Sequence, residues 1–142
     1  MSQEKSNIAL LSAAYKNWND TKGGNIDEWL AMMDDNIKFG TLAEGSGPMV
    51  FDHCRNAKAG VEAYLQALLE HLEMIHYTVD DYIAQGERIV TVGSVGWRNR
   101  ATDKLVESPI VNVIRMKDGR ITEYFEYYDT AKALAAFVPD GG

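Results

Sequence analysis

Residues 105–128 read LVESPIVNVIRMKDGRITEYFEYY, and the fold of the chain is most clearly indicated by these residues. β-Branched and aromatic residues are concentrated on both sides of Asp118-Gly119, a dipeptide that favours a tight hairpin turn. Because a turn of this kind joins neighbouring strands that run in opposite directions, the segment predicts two long antiparallel strands, over 105–116 and 120–128.

Further strands precede this hairpin. Segments 77–84 and 88–98 have the same composition and flank the turn dipeptide Gln85-Gly86, which extends the sheet to a meander of four strands. Nearer the start of the chain, the alternation of Ile37, Phe39 and Thr41 with Lys38 and Gly40 predicts a first strand. Residues 51–55 are predicted to form a short second strand.

The first half of the chain is dominated by helical spacing of apolar residues. This spacing predicts a first helix ending at Gly23-Gly24, a second over 26–33 and a third over 61–72. Asn25 and Glu28 resemble a capping box, and the cluster Asp34–Asn36 is expected to stop the second helix. A last short helix, capped by Asp129 or Thr130, runs to Phe137. Helices followed by long antiparallel strands indicate an α+β fold, in a single domain over residues 1–142.

The composition of the chain indicates which kinds of binding partner and cellular setting to expect. The chain carries 14 basic and 21 acidic residues, a net charge of -7, which argues against a nucleic-acid partner. No apolar run approaches the ~20 residues that a membrane helix needs, so no membrane span is predicted. Cys54 is the single cysteine, which excludes an internal disulfide and suits a reduced, cytoplasmic setting.

Three phrases of the sequence resemble the nuclear transport factor 2-like superfamily over nearly the whole chain. They are WLAMMDDN at 29–36, AGVEAY at 59–64, and DGRITE at 118–123 continuing to Tyr128-Asp129. Within the superfamily the chain is most similar to SnoaL-like polyketide cyclases, ketosteroid isomerases and limonene epoxide hydrolases. The resemblance implies a cone-shaped, curled antiparallel sheet with three to four helices that enclose one pocket.

The catalytic positions of these relatives transfer only in part. Where ketosteroid isomerases place their aspartate base, this chain has Gly40, while their two oxyanion donors fall on Tyr15 and Asn112. The arginine and two acids of limonene epoxide hydrolases fall on Arg88, Val90 and Glu126. Since an acid is missing from each set, neither reaction is predicted in its literal form.

Glu126 is the predicted general base. It shares one strand face with Tyr124 and Tyr128, and aromatic surroundings disfavour the charged carboxylate, a condition under which acids become useful bases. The alternative is a structural glutamate paired with an arginine such as Arg88.

Asn112 and Tyr15 are the predicted donors to an oxygen that gains charge during the reaction. The alternatives are an Asn112 amide bonded to Glu126 or Tyr15, and a Tyr15 that belongs to the core with its hydroxyl satisfied.

The remaining predicted site residues bind substrate. They are Trp18, Phe39, Tyr64, Arg88, Tyr124, Tyr128 and His53. His53 lies beside Asp52, but His53, His71 and His76 are scattered, so no metal site is predicted. The sequence contains no phosphate loop or dinucleotide fingerprint, and no cofactor is predicted.

Two functions from different classes follow. The first is a cofactor-free enzyme of the isomerase, cyclase or hydratase type acting on a small, apolar carbonyl compound. The second is a non-catalytic module that binds a hydrophobic ligand or dimerises. Val111, Val113, Phe125 and Tyr127 make the other side of their strands apolar, and in the family that face packs on a second subunit, so a homodimer is predicted.

Overall fold

A computed structural model describes residues 2–42 and 55–139. His53, Cys54 and most of the predicted second strand lie outside these residues. The elements, in chain order, are α1 (Gln3–Asp20), α2 (Ile26–Met32), β1 (Met33–Thr41), β2 (Arg55–Asn56), α3 (Lys58–His71), β3 (Leu72–Gln85), β4 (Arg88–Asn99), β5 (Leu105–Lys117), β6 (Arg120–Tyr128) and α4 (Thr130–Ala135). This order confirms the predicted α+β fold. None of these helices, within the described residues, is long and apolar enough to cross a membrane.

The strands form one curled sheet in the order β2-β1-β6-β5-β4-β3. Strands β3 to β6 are antiparallel neighbours, which confirms the predicted meander. Strand β1 runs parallel to β6, so the sheet is mixed and not wholly antiparallel as predicted. The reason is that no hairpin joins β1 to β6, and strands without a tight connection are free to pair in either direction.

Bulges bend the sheet around its core. The register shifts between Met74 and His76 and between Val79 and Asp81 in β3. A third shift, between Arg115 and Met116 of β5, leaves Thr122 of β6 as the extra residue. Each extra residue bends its strand and increases the local twist. Gly93 of β4 lies against the second bulge, where a Cβ atom would overlap the carbonyl oxygen of Thr78. The sheet therefore needs glycine at this position.

The helices close the concave side of the curled sheet. Helix α1 buries Leu11, Ala14, Tyr15 and Trp18, while α3 buries Val61, Tyr64 and Leu65. Asn25 ties α2 to α1, since its Nδ2 donates to the carbonyl oxygen of Ala14 over 3.1 Å and to Glu28 Oε1 over 2.6 Å. The core of the protein thus lies between these helices and the concave sheet face.

Helix ends agree with the sequence at some positions and differ at others. Asp129 caps α4, as predicted, because its Oδ1 accepts from Lys132 N over 3.0 Å. Asn25 precedes α2, but its side chain makes no capping bond to the backbone. Asp34–Asn36 do not end α2: the helix stops at Met32 and these residues belong to β1, because pairing with β6 draws the chain into the sheet at Met33.

Candidate functional site

A cavity of about 80 Å³ lies between the concave sheet face and the helices. One water molecule needs only ~10–15 Å³, so the aromatic side chains of the core do not fill this space. Seven of the predicted site residues lie in its wall: Tyr15, Trp18, Phe39, Tyr64, Tyr124, Glu126 and Tyr128. The rest of the wall is mostly apolar and includes Ala133, Ala136 and Phe137 from α4 and the residues after it.

A cluster of hydroxyl groups forms the polar part of the site. The hydroxyl oxygens of Tyr15 on α1 and Tyr124 on β6 are 2.5 Å apart and buried. Asn112 on β5 places its Nδ2 3.0 Å from Tyr15 Oη and 2.9 Å from Tyr77 Oη. Thr91 on β4 completes the cluster, with its Oγ1 3.1 Å from the same nitrogen. Five elements therefore converge on one group of hydroxyls.

Asn112 supports these hydroxyls and does not line the cavity. It is fully buried, and its two N–H hydrogens face three hydroxyl oxygens, which leaves none for a ligand. The alternative in which the amide bonds to Tyr15 is therefore the one found. The predicted donation from Asn112 to a ligand oxygen is wrong, because the hydroxyls of Tyr15 and Tyr77 intervene.

The tyrosines of the cluster remain neutral donors. Burial is the largest cause that raises the pKa of Tyr15, Tyr77 and Tyr124 above the ordinary value of 10.0. The negative charge of Glu126 acts on all three in the same direction, because it disfavours a second negative charge nearby. Each phenol thus keeps its proton at neutral pH and is able to donate it in a hydrogen bond.

Glu126 brings a carboxylate to the cavity wall beside this cluster. It is half-buried, pairs in register with Asn112 on β5 and with Thr41 on β1, and faces the same side as Tyr124. Arg88 lies on the opposite face of the sheet, where it is exposed and pairs in register with Arg115. The predicted roles of Arg88, in substrate binding or as a partner of Glu126, are therefore wrong.

The two positions at which the relatives' acids are missing also face away from the cavity. Gly40 pairs in register with Phe125, and Val90 pairs with Val113, all on the outer face. On β1 the residues on the cavity side are Phe39 and Thr41, which pair with Tyr124 and Glu126. The absence of acids at Gly40 and Val90 therefore does not bear on the chemistry of this cavity.

Sequence reasoning missed three residues of the site: Tyr77, Thr91 and Trp29. Thr91 pairs in register with Asn112, while Tyr77 reaches the cluster through the register of β3 with β4, which bulges shift. Trp29 lies in the second predicted helix, over 26–33, and was not assigned to the site. A signal for Thr91 was its place on the strand predicted beside the one that carries Asn112, whereas Tyr77 lies one strand further along the meander.

The histidines do not gather at the cavity. His76 lies on the outer face with its Nε2 2.9 Å from Glu107 Oε2, and His71 is exposed at the end of α3. His53 lies outside the described residues. Within residues 2–42 and 55–139, no three acidic, histidine or cysteine side chains come together as metal ligands would.

Comparison with known proteins supports the fold. The SnoaL-like domain family matches residues 12–124. An NTF2-like protein from Burkholderia xenovorans LB400 superposes with a TM-score of 0.78 at 23% identity, over 94% of this chain and 97% of that one. A proposed SnoaL-like polyketide cyclase from Jannaschia sp. CCS1 gives 0.77 at 16% identity, over 96% and 95%. TerC, co-crystallised with polyporic acid, gives 0.76 at 20%, over 93% and 98%. No curated protein matches the chain.

Proposed function

Because the chain belongs to the SnoaL-like domain family, we propose that it is a cofactor-free enzyme of the isomerase, cyclase or hydratase type. Its substrate is a small, largely apolar carbonyl compound. The observation that carries the proposal is one cavity that holds a carboxylate, Glu126, and a pair of neutral phenols, Tyr15 and Tyr124, in an otherwise mostly apolar wall. The single cysteine, Cys54, supports a reduced, cytoplasmic setting.

The chemistry divides between the two kinds of group. The Glu126 carboxylate removes a proton from the carbon next to the substrate carbonyl, which leaves negative charge on the carbonyl oxygen. One hydroxyl of the Tyr15–Tyr124 pair donates to that oxygen while the other donates to its neighbour, and Asn112 holds Tyr15 in place through its amide. Return of the proton from Glu126 to another carbon gives an isomer. Attack of the enolate carbon on a second carbonyl of the same molecule instead gives a ring, and the alkoxide formed takes the proton back from Glu126.

The apolar walls of the cavity favour these separate roles of the carboxylate and the phenols. Phe39 stacks on Tyr124 with ring centroids 5.0 Å apart, and Tyr15 stacks on Tyr77 at 5.5 Å. Stacked rings hold the phenols rigidly and exclude water, so the hydroxyls need little reorganisation when charge develops. The crystal of TerC with polyporic acid supports a small organic ligand for a cavity of this fold.

Proton exchange tests the reaction class before the substrate is known. We expect the protein to catalyse exchange of solvent deuterium into the carbon next to the carbonyl of small apolar ketones, because this exchange needs only a base and an oxyanion donor. Loss of the proton signal in NMR spectra measures the rate. Ketones that bind without any exchange above the buffer rate would contradict the enzyme and favour the alternative.

That alternative is a non-catalytic module that retains a hydrophobic ligand or serves dimerisation. The polar cluster favours it in one respect, since the Tyr15–Tyr124 and Asn112 bonds also satisfy buried groups without any ligand. In this case binding would raise the melting temperature while ketones remain unchanged.

We further propose a homodimer through the outer sheet face. This face carries Val90, Val92, Val111, Val113 and Phe125, which are half-buried, and Tyr127, which is 44% exposed. Contiguous apolar surface of this kind favours association, and a two-fold axis pairs the face with itself. Light scattering is expected to give twice the chain mass of 15.8 kDa, and Tyr127→Lys to reduce it towards the monomer. A monomer at micromolar concentration would refute the dimer.

A further inference from the structure

Trp29 is the buried residue of helix α2 and forms part of the cavity wall. Its ring makes T-shaped contacts with both phenols of the hydroxyl pair, with ring centroids 4.7 Å from Tyr15 and 6.4 Å from Tyr124. The residue is only 5% exposed. Its indole therefore lies next to the groups to which the proposed function assigns the substrate oxygen.

The indole N–H of Trp29 has no hydrogen-bond partner among the described residues. An N–H group that is removed from water without a partner destabilises the folded state, so such groups are rare in native proteins. The neighbouring rings offer only a weak N–H···π contact. The ring faces of Tyr15 and Tyr124 thus do not account for a buried donor at this place.

Trp29 differs from the other buried polar groups in the same condition. Partners are also lacking, in the part of the chain that the structure describes, for one atom each of Asn7, Asn25, Asn99 and Asn112. None of these four residues lines the cavity, whereas Trp29 does. A ligand in the cavity is therefore in a position to supply the missing partner only for Trp29.

We propose that the Trp29 indole N–H is a specificity-determining donor that binds an oxygen atom of the ligand inside the cavity. The inference rests on the proposed function for the identity of the ligand site, and it deepens that function by requiring an acceptor oxygen at this wall. Indole N–H donates and never accepts, so it selects carbonyl or ether oxygen over an amine or a hydrocarbon of the same shape. A site with a buried unpaired donor rejects ligands that lack the matching acceptor.

Acetophenone and ethylbenzene test this selection, because they share a ring and differ by a carbonyl in place of a methylene. We expect the wild type to bind acetophenone more tightly than ethylbenzene. In Trp29→Phe, the dissociation constant of ethylbenzene divided by that of acetophenone is expected to fall by about fivefold to tenfold. Ligand-observed NMR measures both constants. The carbonyl stretch of bound acetophenone is expected to move to higher frequency in the variant, since one donor to the oxygen is lost.

Trp18→Phe is the matched control, because Trp18 is also 5% exposed and lines the same cavity. Like Trp29→Phe, this substitution replaces an indole with a smaller phenyl ring. It is expected to change the affinities for acetophenone and ethylbenzene by the same factor. If Trp29→Phe does not fold, 3-benzothienylalanine at position 29 keeps the double ring and removes only the N–H. An unchanged ratio and carbonyl frequency in the folded Trp29 variant, or a wild type that does not prefer acetophenone, would overturn the proposal. These measurements report binding alone, so they stand apart from the exchange test of the proposed function.

Discussion

Glu126→Gln is expected to lower the rate of ketone proton exchange by ~100-fold or more, the usual contribution of a positioned base. Glutamine keeps the size of glutamate and most of its hydrogen bonds but does not take up a proton at neutral pH. Binding of acetophenone should change little, because Glu126 acts on the carbon and the hydroxyl pair acts on the oxygen. Exchange rates and dissociation constants on the same samples measure both effects.

Glu123→Gln is the control for this experiment. Glu123 lies on the same strand as Glu126 but on the outer face, where its Oε2 is 2.6 Å from Arg115 Nε. Its loss should leave the exchange rate unchanged. Melting curves identify the structural alternative, in which lost activity follows the unfolded fraction. A folded Glu126→Gln protein with the wild-type rate would remove Glu126 from the mechanism.

Gly93→Ala is expected to destabilise the protein by at least ~3 kcal/mol, which lowers the melting temperature by about 10 °C. The added methyl group would overlap the backbone of Thr78 and Val79 at the bulge of β3. Main-chain atoms in a sheet move only if hydrogen bonds between the strands break. The overlap is therefore not relieved by a small local shift. Circular dichroism during heating measures the change.

Gly96→Ala provides a graded comparison on the same strand. There the added methyl group meets the ends of two side chains, Glu107 and His76, which are able to rotate away. We expect the free energy of unfolding of Gly96→Ala to fall by only ~1 kcal/mol. Ser94→Ala adds no atoms and should be close to neutral. Equal stability of the Gly93 and Gly96 variants would contradict the close approach of β3 and β4.

The sequence predicted the elements of this fold better than their directions. Asp118-Gly119 and Gln85-Gly86 identify the hairpins because turn chemistry is local. The parallel pairing of β1 with β6 depends on contacts between distant segments, and no local pattern encodes it. The same holds for the helix boundary at Met32, where pairing with the sheet overrides the polar cluster Asp34–Asn36.

In the candidate site, too, local patterns were predicted correctly and features that depend on distant contacts were not. Alternation along β6 was sufficient to place Tyr124, Glu126 and Tyr128 on one face, and that face lines the cavity. Arg88 was misplaced because the choice of face at the end of β4 depends on the register with β5. Asn112 was placed on the correct face, but its depth behind the tyrosine hydroxyls is a property of packing.

The pairing of β1 with β6 also affects how the chain is made. The nascent chain emerges from the ribosome with its amino terminus first. The segment 33–41 therefore emerges long before its partner 120–128. Until that partner appears, the early segment has one edge without a neighbour from the large meander, and such exposed edges invite association with other chains. High contact order of this kind slows folding. The nascent chain therefore completes this sheet only after residue 128 has been made, and the edge of segment 33–41 that later pairs with β6 lacks that partner until then.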